Sequence, residues 1–174
     1  FIGDSITCGY GNELSVTQAE IQANPDLYGY TNERSNAYLA WGAVASRALE
    51  AEYRAVAYSG KGITRNVGGY VGPTLPDLYL DIFPDSPGQT TWDPSTSVPD
   101  LLIINLGTND FSDGLDVAAG ELDAMREDFR ADYISFLEAL RGYYPDTPFI
   151  LAAGTMMNDF WPIGYNAWTA IQAD

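Results

Sequence analysis

At 174 residues the chain is long enough to bury a sizeable core as one domain. It carries 24 acidic and 8 basic side chains, and the resulting net charge of −16 argues against binding to nucleic acid or anionic lipid and suits a neutral substrate. No apolar run approaches the about 20 residues that a membrane-spanning helix needs. The single cysteine, Cys8, can form no internal disulfide and is expected to be a packed, unreactive thiol.

The first part of the chain predicts two short strands and one helix. Phe1–Ile2 ends a first strand, and 12–35 is expected to be a polar loop or insertion. Apolar residues at spacings of three and four predict a helix over 36–50, with Asn36 as its cap. A second strand is expected at 53–58.

The rest of the chain begins with loops and then becomes regular. Residues 67–99 are rich in Gly and Pro and predict loop, with a short helix at 75–83. The apolar run 101–106 predicts a strand covered on both faces. The elements expected after it are a helix over 118–143, a strand over 149–153, a loop over 154–166 and the start of a helix from 167.

Strands that alternate with helices predict a parallel sheet with right-handed crossovers. We therefore expect an α/β fold, namely a three-layer α/β/α sandwich with a mainly parallel sheet. The whole chain, 1–174, is interpreted as one domain trimmed at both ends, because it begins inside a strand without Met and stops within a helical pattern.

Three turns of small residues each follow a predicted strand: Gly3-Asp4-Ser5, Ser59-Gly60-Lys61-Gly62 and Gly107-Thr108-Asn109-Asp110. In a parallel sheet such turns meet at the carboxyl edge, where open α/β sheets bind ligands. Ser5 lies at a sharp turn beside backbone N–H groups, as a nucleophile requires. A glycine N–H and the side-chain amide of Asn109 are donors of the kind that stabilise an oxyanion. The pattern predicts acyl transfer through serine.

The three turns resemble the blocks of the SGNH, or GDSL-type, hydrolases, a family named for a Ser, Gly, Asn and His in separate blocks. More narrowly, residues 1–13, 59–66 and 105–112 are similar to the family 2 carbohydrate esterases. Those enzymes are acetyl xylan esterases, which remove acetyl groups from plant polysaccharides. The resemblance extends from residue 1 to about residue 155, and it implies a secreted enzyme that uses no cofactor and no metal.

The resemblance implies a role for each matching residue. Ser5 would attack the ester carbonyl, and its own N–H would help to bind the oxyanion. Asn109 would donate to the oxyanion from its side chain. The glycine donor is either Gly60 or Gly62. Gly62 lines up better with the general family block, but both alternatives remain open at this point.

Five further residues are expected to support the site or to bind substrate. Asp4 and Asp110 are expected to hydrogen-bond nearby backbone N–H groups and not to serve as the acid of a catalytic triad. Trp92, Trp161 and Tyr165 lie in predicted loops, where they would either stack on sugar rings or simply cover the core.

The sequence contains no histidine, whereas the fourth block of the resembled family, Asp-x-x-His, holds the general base. Either the chain ends before that block or it is a catalytically inactive relative, and the interrupted final helix favours the first explanation. We therefore expect these 174 residues alone to show little or no esterase activity. The resemblance also implies that the parent protein can carry a β-sandwich domain ahead of this one.

Three functions are compatible with this sequence. The favoured one is a secreted esterase that removes O-acetyl groups from a neutral polysaccharide, such as acetylated xylan or mannan, through an acyl-Ser5 intermediate. It would need no nucleic acid, membrane, cofactor or metal. The first alternative is an SGNH lipase or thioesterase-type acyl hydrolase, which would need an apolar acyl channel. The second is a non-catalytic carbohydrate-binding relative that lacks the base histidine.

Overall fold

The computed structural model describes residues 1–14, 16–24, 31–86, 88–112 and 119–153. Its strands are β1 (Ile2–Gly3), β2 (Val56–Ala57), β3 (Leu102–Asn105) and β4 (Phe149–Leu151). Its described helices are α1 (Gln18–Ala23), α2 (Trp41–Ala48), α3 (Leu75–Leu78) and α4 (Ala119–Tyr143). The four strands are parallel and lie in the order β2-β1-β3-β4. The predicted α/β fold with a parallel sheet is therefore confirmed.

The position of β1 inside the sheet determines where the chain presents Ser5. Gly3, the last residue of β1, pairs with Ala57 of β2 and with Asn105 of β3. The strand ends there, and residues 4–9 form a run of tight turns directly after it. Ser5 therefore lies at the carboxyl edge, between the ends of two neighbouring strands.

The long helix α4 provides one wall of the core. Its residues Phe129, Tyr133, Phe136 and Leu140 recur at spacings of three and four, and all are buried. The ring of Phe129 lies 5.0 Å from that of Phe111, edge to face, which joins the helix to the end of the third turn. The helix predicted over 118–143 and its apolar face are confirmed.

The helix predicted over 36–50 is interrupted. Asn36 is a cap, as predicted, because its Oδ1 accepts hydrogen bonds from the N–H groups of Tyr38 (3.0 Å) and Leu39 (3.3 Å). It caps only a 3₁₀ turn, however, because the backbone at Ala40 is extended (ψ 149°) before α2 begins.

The buried face of α2 also differs from the prediction. The predicted face was apolar and large, but four of its members are exposed: Tyr38, Leu39, Val44 and Leu49. The buried positions of the helix are instead the small residues Gly42, Ala43 and Ser46. A Cβ on Gly42 would lie 2.8 Å from the ring of Phe1, so close packing against the start of β1 selects small residues here.

Two loop predictions are partly corrected. The stretch 12–35 contains α1, whose first turn has a capping box in which Thr17 and Glu20 hydrogen-bond to each other's backbone N–H groups. In the stretch 67–99, α3 forms within the predicted short helix but is only four residues long. The predictions for 154–174 lie outside the described residues. None of the helices in the described ranges is long and apolar enough to cross a membrane.

Candidate active site

The turns that follow β1, β2 and β3 meet at the carboxyl edge of the sheet. The side-chain amide of Asn109, after β3, donates to the carbonyl oxygen of Lys61, after β2, at 2.8 Å. The same nitrogen donates to Oδ2 of Asp4, after β1, at 3.3 Å. One buried side chain thus joins all three turns that the sequence predicted to converge.

Ser5 occupies the first of these turns and is half-buried. Its carbonyl oxygen accepts a hydrogen bond from the N–H of Tyr10 (2.9 Å), which fixes the backbone of the turn. Within the described part of the chain, neither the hydroxyl nor the N–H of Ser5 hydrogen-bonds to another group. A serine in this state can present its oxygen to a carbonyl carbon and its N–H to the oxyanion that results.

The two candidate glycines of the second turn differ in the state of their N–H groups. The N–H of Gly62 is buried and faces Oδ1 of Asn66 at 3.5 Å. The N–H of Gly60 has no hydrogen-bond partner among the described residues. Gly60 also has a φ of 78°, a backbone conformation that favours glycine. The structure therefore leaves Gly60, and not Gly62, with a donor free for a ligand.

Asp110 fixes the backbone that follows directly after the second turn. Its carboxylate is buried and accepts hydrogen bonds from three consecutive backbone N–H groups, those of residues 63, 64 and 65, at 2.7–3.1 Å. A Cβ on Gly62 would lie 2.5 Å from Oδ2 of Asp110, so only glycine allows this approach. Burial raises the pKa of Asp110, while the backbone donors act to lower it. Asp110 therefore has the supporting position expected of it.

Asp4 supports the first and third turns. Its carboxylate is fully buried, with Oδ1 accepting from the N–H of Ile6 (3.0 Å) and Oδ2 from Asn109. Burial raises its pKa to about 6, opposed by the hydrogen bond from Ile6 and reinforced by the charge of Asp110. The ionised carboxylate is thus held as the acceptor that orients the Asn109 amide, although its burial is unfavourable.

This raised pKa predicts a pH dependence of stability. Asp4 titrates near 3.8 when unfolded and at about 6 when folded, so the native state binds the proton more tightly. The free energy of unfolding should therefore fall as the pH rises from about 4 to 6, by about 3 kcal/mol. The Asp4→Asn variant should lose this part of the pH dependence, as measured by denaturant unfolding across that range.

The Asp4→Asn variant also tests the contact with Asn109. An amide has one acceptor oxygen where the carboxylate has two, so in either orientation its nitrogen would face another donor, Nδ2 of Asn109 or the N–H of Ile6. We expect the variant to have lower kcat even where it is as stable as the parent. A variant that keeps both the parental pH profile and full activity would contradict this assignment.

Of the three aromatic residues considered as substrate contacts, the structure describes only Trp92. Trp92 packs against the core, where its Nε1 donates to the carbonyl of Tyr79 (2.9 Å). It lines a cavity of about 250 Å³ together with Ile2 and Leu102, which begin β1 and β3, at the opposite end of the sheet from Ser5. Of the two alternatives left open for Trp92, these contacts support the one in which it covers the core, in place of a substrate contact. Trp161 and Tyr165 lie outside the described residues.

Two other residues of the turns have structural contacts. Cys8 is half-buried beside Ser59, and burial raises the pKa of its thiol, as expected for an unreactive cysteine. Lys61, between the two glycines, donates from Nζ to the carbonyl of Pro73 (2.6 Å). Within the described ranges, no three Cys, Asp or Glu side chains lie close enough together to hold a metal ion.

The structural role of Asn66 is not evident from the amino-acid sequence. This asparagine is buried, and its Nδ2 lies within 3.2–3.3 Å of the carbonyl oxygens of Tyr70, Gly72 and Pro73. A polar residue amid Gly and Pro suggested only loop, since nothing local in the sequence indicates which carbonyls its side chain reaches.

A parallel α/β sheet that gathers Gly-Asp-Ser, Ser-Gly-Lys-Gly and Gly-Thr-Asn-Asp turns at its carboxyl edge is the arrangement of an SGNH hydrolase. Residues 1–173 match the GDSL-like Lipase/Acylhydrolase family, and the chain belongs to that family. The resemblance stated from the sequence is therefore confirmed, together with esterase chemistry at the level of the family.

Curated relatives and solved structures agree with this placement. The chain is 36% identical over 157 residues to the cellulase/esterase CelE of Acetivibrio thermocellus, covering 90% of this chain and 17% of that protein. It is 32% identical over 164 residues to an acetylxylan esterase / glucomannan deacetylase of Cellvibrio japonicus, covering 91% and 42%. A family two carbohydrate esterase from Clostridium thermocellum, solved with cellohexaose, matches with a TM-score of 0.76 and 31% identity. That match covers 99% of this chain and 49% of the other, so the chain spans half or less of these relatives.

Proposed function

We propose that the protein containing this chain is a serine esterase that removes O-acetyl groups from a neutral polysaccharide such as acetylated xylan or mannan. The observation that carries the proposal is the position of Ser5, whose unbonded hydroxyl lies at the same edge of the sheet as Asn109 and the Gly60-Lys61 turn to which Asn109 is bonded. The names of the relatives, acetylxylan esterase and glucomannan deacetylase, support acetylated plant glycans as substrates. The net charge of −16 is compatible with a neutral glycan.

The proposed reaction has two steps. Oγ of Ser5 attacks the carbonyl carbon of the ester and gives its proton to a base. The bond between that carbon and the sugar oxygen then breaks, the sugar oxygen takes up a proton, and acetyl-Ser5 remains. Water then attacks acetyl-Ser5 and releases acetate. In both steps the oxyanion would accept hydrogen bonds from the N–H of Ser5, the N–H of Gly60 and Nδ2 of Asn109.

The Asn109 amide is already bonded before substrate arrives. Both of its hydrogens are engaged, one by Lys61 at 2.8 Å and the other by Asp4 at 3.3 Å. The oxyanion would share or replace the longer bond to Asp4, while the shorter one keeps the amide plane in position. Asp4 is thus a positioning residue in this mechanism.

The general base is proposed to come from sequence outside these 174 residues. The chain has no histidine, and the relatives that it matches are at least about twice as long as this chain. Secretion and a β-sandwich domain ahead of this one belong to the same proposal, because they were inferred from the resemblance alone.

The absence of histidine also favours a second candidate, a non-catalytic carbohydrate-binding relative. The two are separated by incubating the natural protein that carries this chain with acetylated xylan and measuring free acetate. We expect acetate release that depends on Ser5. If the protein binds xylan oligosaccharides but releases no acetate from acetylated xylan, glucomannan or 4-nitrophenyl acetate, the esterase proposal is wrong and the binding function replaces it.

A further inference from the structure

The second turn contains one peptide group that no backbone hydrogen bond holds. It is the group between Lys61 and Gly62, called the 61–62 peptide here. The group before it is anchored, because the carbonyl of Gly60 accepts from the N–H of Val67 at 2.9 Å. The group after it is anchored as well, because the carbonyl of Gly62 accepts from the N–H of Leu75 at 2.9 Å. Among the described residues, the 61–62 peptide has no bond of this kind.

Two asparagine side chains hold the 61–62 peptide instead. Its carbonyl oxygen, that of Lys61, accepts from Nδ2 of Asn109 at 2.8 Å. Its N–H, that of Gly62, donates to Oδ1 of Asn66 in a long hydrogen bond of 3.5 Å. Because the C=O and N–H of a trans peptide point in opposite directions, the two side chains contact this group from opposite sides. The peptide that orients Asn109 therefore turns the Gly62 N–H away from Asn109.

The orientation of the Asn66 amide is determined by its other end. The side chain is 3% exposed, and its Nδ2 lies within 3.2–3.3 Å of the carbonyl oxygens of Tyr70, Gly72 and Pro73. If the amide were turned over, its oxygen would lie among three acceptors and its nitrogen would face the N–H of Gly62. Asn66 therefore presents an already oriented acceptor to the 61–62 peptide.

A reversed 61–62 peptide would disrupt the donors that are proposed to bind the oxyanion. The Lys61 carbonyl would turn away from Asn109, and the Gly62 N–H would face Nδ2 of Asn109, so that two donors would oppose each other. Glycine tolerates such changes of backbone orientation more readily than other residues. The bonds to the two asparagine side chains therefore decide which orientation is adopted.

We infer that Asn66 is a positioning residue for the proposed reaction, because it holds the 61–62 peptide in the orientation that keeps the Asn109 amide in place. The same orientation leaves Gly60, and not Gly62, as the glycine donor. This inference rests on the proposed function and adds a residue to its oxyanion site. Asn66 acts through the peptide that it shares with Asn109 and not on the substrate itself.

The test compares Asn66→Ala with the matched control Thr147→Val in the natural protein that carries this chain. Thr147 is also buried, at 5% exposed, and its Oγ1 donates to a loop carbonyl, that of Pro99, at 2.9 Å. It precedes β4, at the opposite end of the sheet from Ser5. Each variant is assayed with 4-nitrophenyl acetate under conditions in which a cooperative unfolding transition shows that it is folded.

We expect Asn66→Ala to lower kcat about tenfold and to leave KM within about twofold of the parent, because a displaced Asn109 amide affects the transition state. Thr147→Val should leave both values within about twofold. In the Asn109→Ala background, Asn66→Ala should lower kcat by less than about twofold, because the amide that it positions is absent. The inference is overturned by an unchanged kcat in Asn66→Ala, by equal losses in both variants, or by a loss of about tenfold in the Asn109→Ala background.

Amide hydrogen exchange separates this inference from the proposed function, because it requires no catalysis. In the parent protein the Gly62 N–H should exchange at least about tenfold more slowly than the Gly60 N–H, after correction for their intrinsic rates, and Asn66→Ala should remove the difference. If the protein hydrolyses no ester yet shows this pattern, the proposed function fails and the positioning by Asn66 stands. If Gly62 exchanges as fast as Gly60 in the parent, or stays protected in Asn66→Ala, the positioning fails whatever the activity. The measurement on the parent decides the question even where Asn66→Ala does not fold.

Discussion

Replacement of Ser5 by alanine is expected to lower kcat for acetate release by a factor on the order of 10⁴–10⁶. The reason is that the hydroxyl supplies the only bond to the acetyl group in the proposed intermediate, and the remaining donors stabilise an oxyanion that no longer forms efficiently. The measurement is single-substrate kinetics of the natural protein that carries this chain, with acetylated xylan and with 4-nitrophenyl acetate.

The same variant should fold normally. The hydroxyl of Ser5 makes no hydrogen bond within the described ranges, so its removal breaks no hydrogen bond there. Ser59→Ala is a suitable control, because Ser59 lies in the neighbouring turn and contacts Cys8. If Ser5→Ala and Ser59→Ala retain similar activity, Ser5 is not the nucleophile.

The second largest effect is expected at Asn109. Asn109→Ala should lower kcat by about 10²–10³-fold with little change in KM, because its amide would act on the transition state more than on the bound ester. It should also lower the free energy of unfolding by about 1–3 kcal/mol, because the Lys61 carbonyl and the Asp4 carboxylate would lose a buried donor. Kinetics and denaturant unfolding of the same samples separate the two effects.

Asn105 provides a matched control for Asn109. It lies at the end of β3 on the same edge and is equally buried, 6% exposed against 7%, but its Oδ1 accepts no hydrogen bond. Asn105→Ala should change kcat by less than about threefold, since it lacks the link to the other two turns. A loss below about threefold for Asn109→Ala, or an equal loss for both variants, would remove Asn109 from the oxyanion site.

The sequence predicted the elements whose burial follows a simple repeat. The helix α4 has large apolar residues at spacings of three and four, such as Phe129, Tyr133 and Leu140, and all of them are buried. The strand β3 is a continuous apolar run that ends in the third turn. In these elements the local pattern and the tertiary environment agree, which makes such predictions reliable.

The sequence failed where burial depends on close backbone approach. The buried face of α2 consists of Gly42, Ala43 and Ser46, which carry little hydrophobic signal, while the larger Val44 and Leu49 face solvent. Small residues are required there because the ring of Phe1 packs against the helix. A periodicity of large apolar residues cannot reveal such a face.

The residues of the candidate site were predicted from the sequence, but the hydrogen bonds that hold them in place were not. Ser5, Asn109 and the choice of Gly60 or Gly62 follow from three turns, each of which is a short local motif. The hydrogen bonds that Asp110 accepts from residues 63–65 join positions at least 45 residues apart in the sequence, and only the folded chain shows them. Likewise, the sequence left Gly60 and Gly62 as alternatives, and the position of Asn66 distinguishes them.

The most direct measurement is mass spectrometry of the natural protein, quenched in acid while it turns over an acetylated substrate. The proposed mechanism predicts one acetyl group on the peptide that contains Ser5 and none on that peptide in Ser5→Ala. An acetyl group on a different residue would contradict the role of Ser5 as nucleophile. Acetate release by the Ser5→Ala variant at the parental rate would contradict it equally.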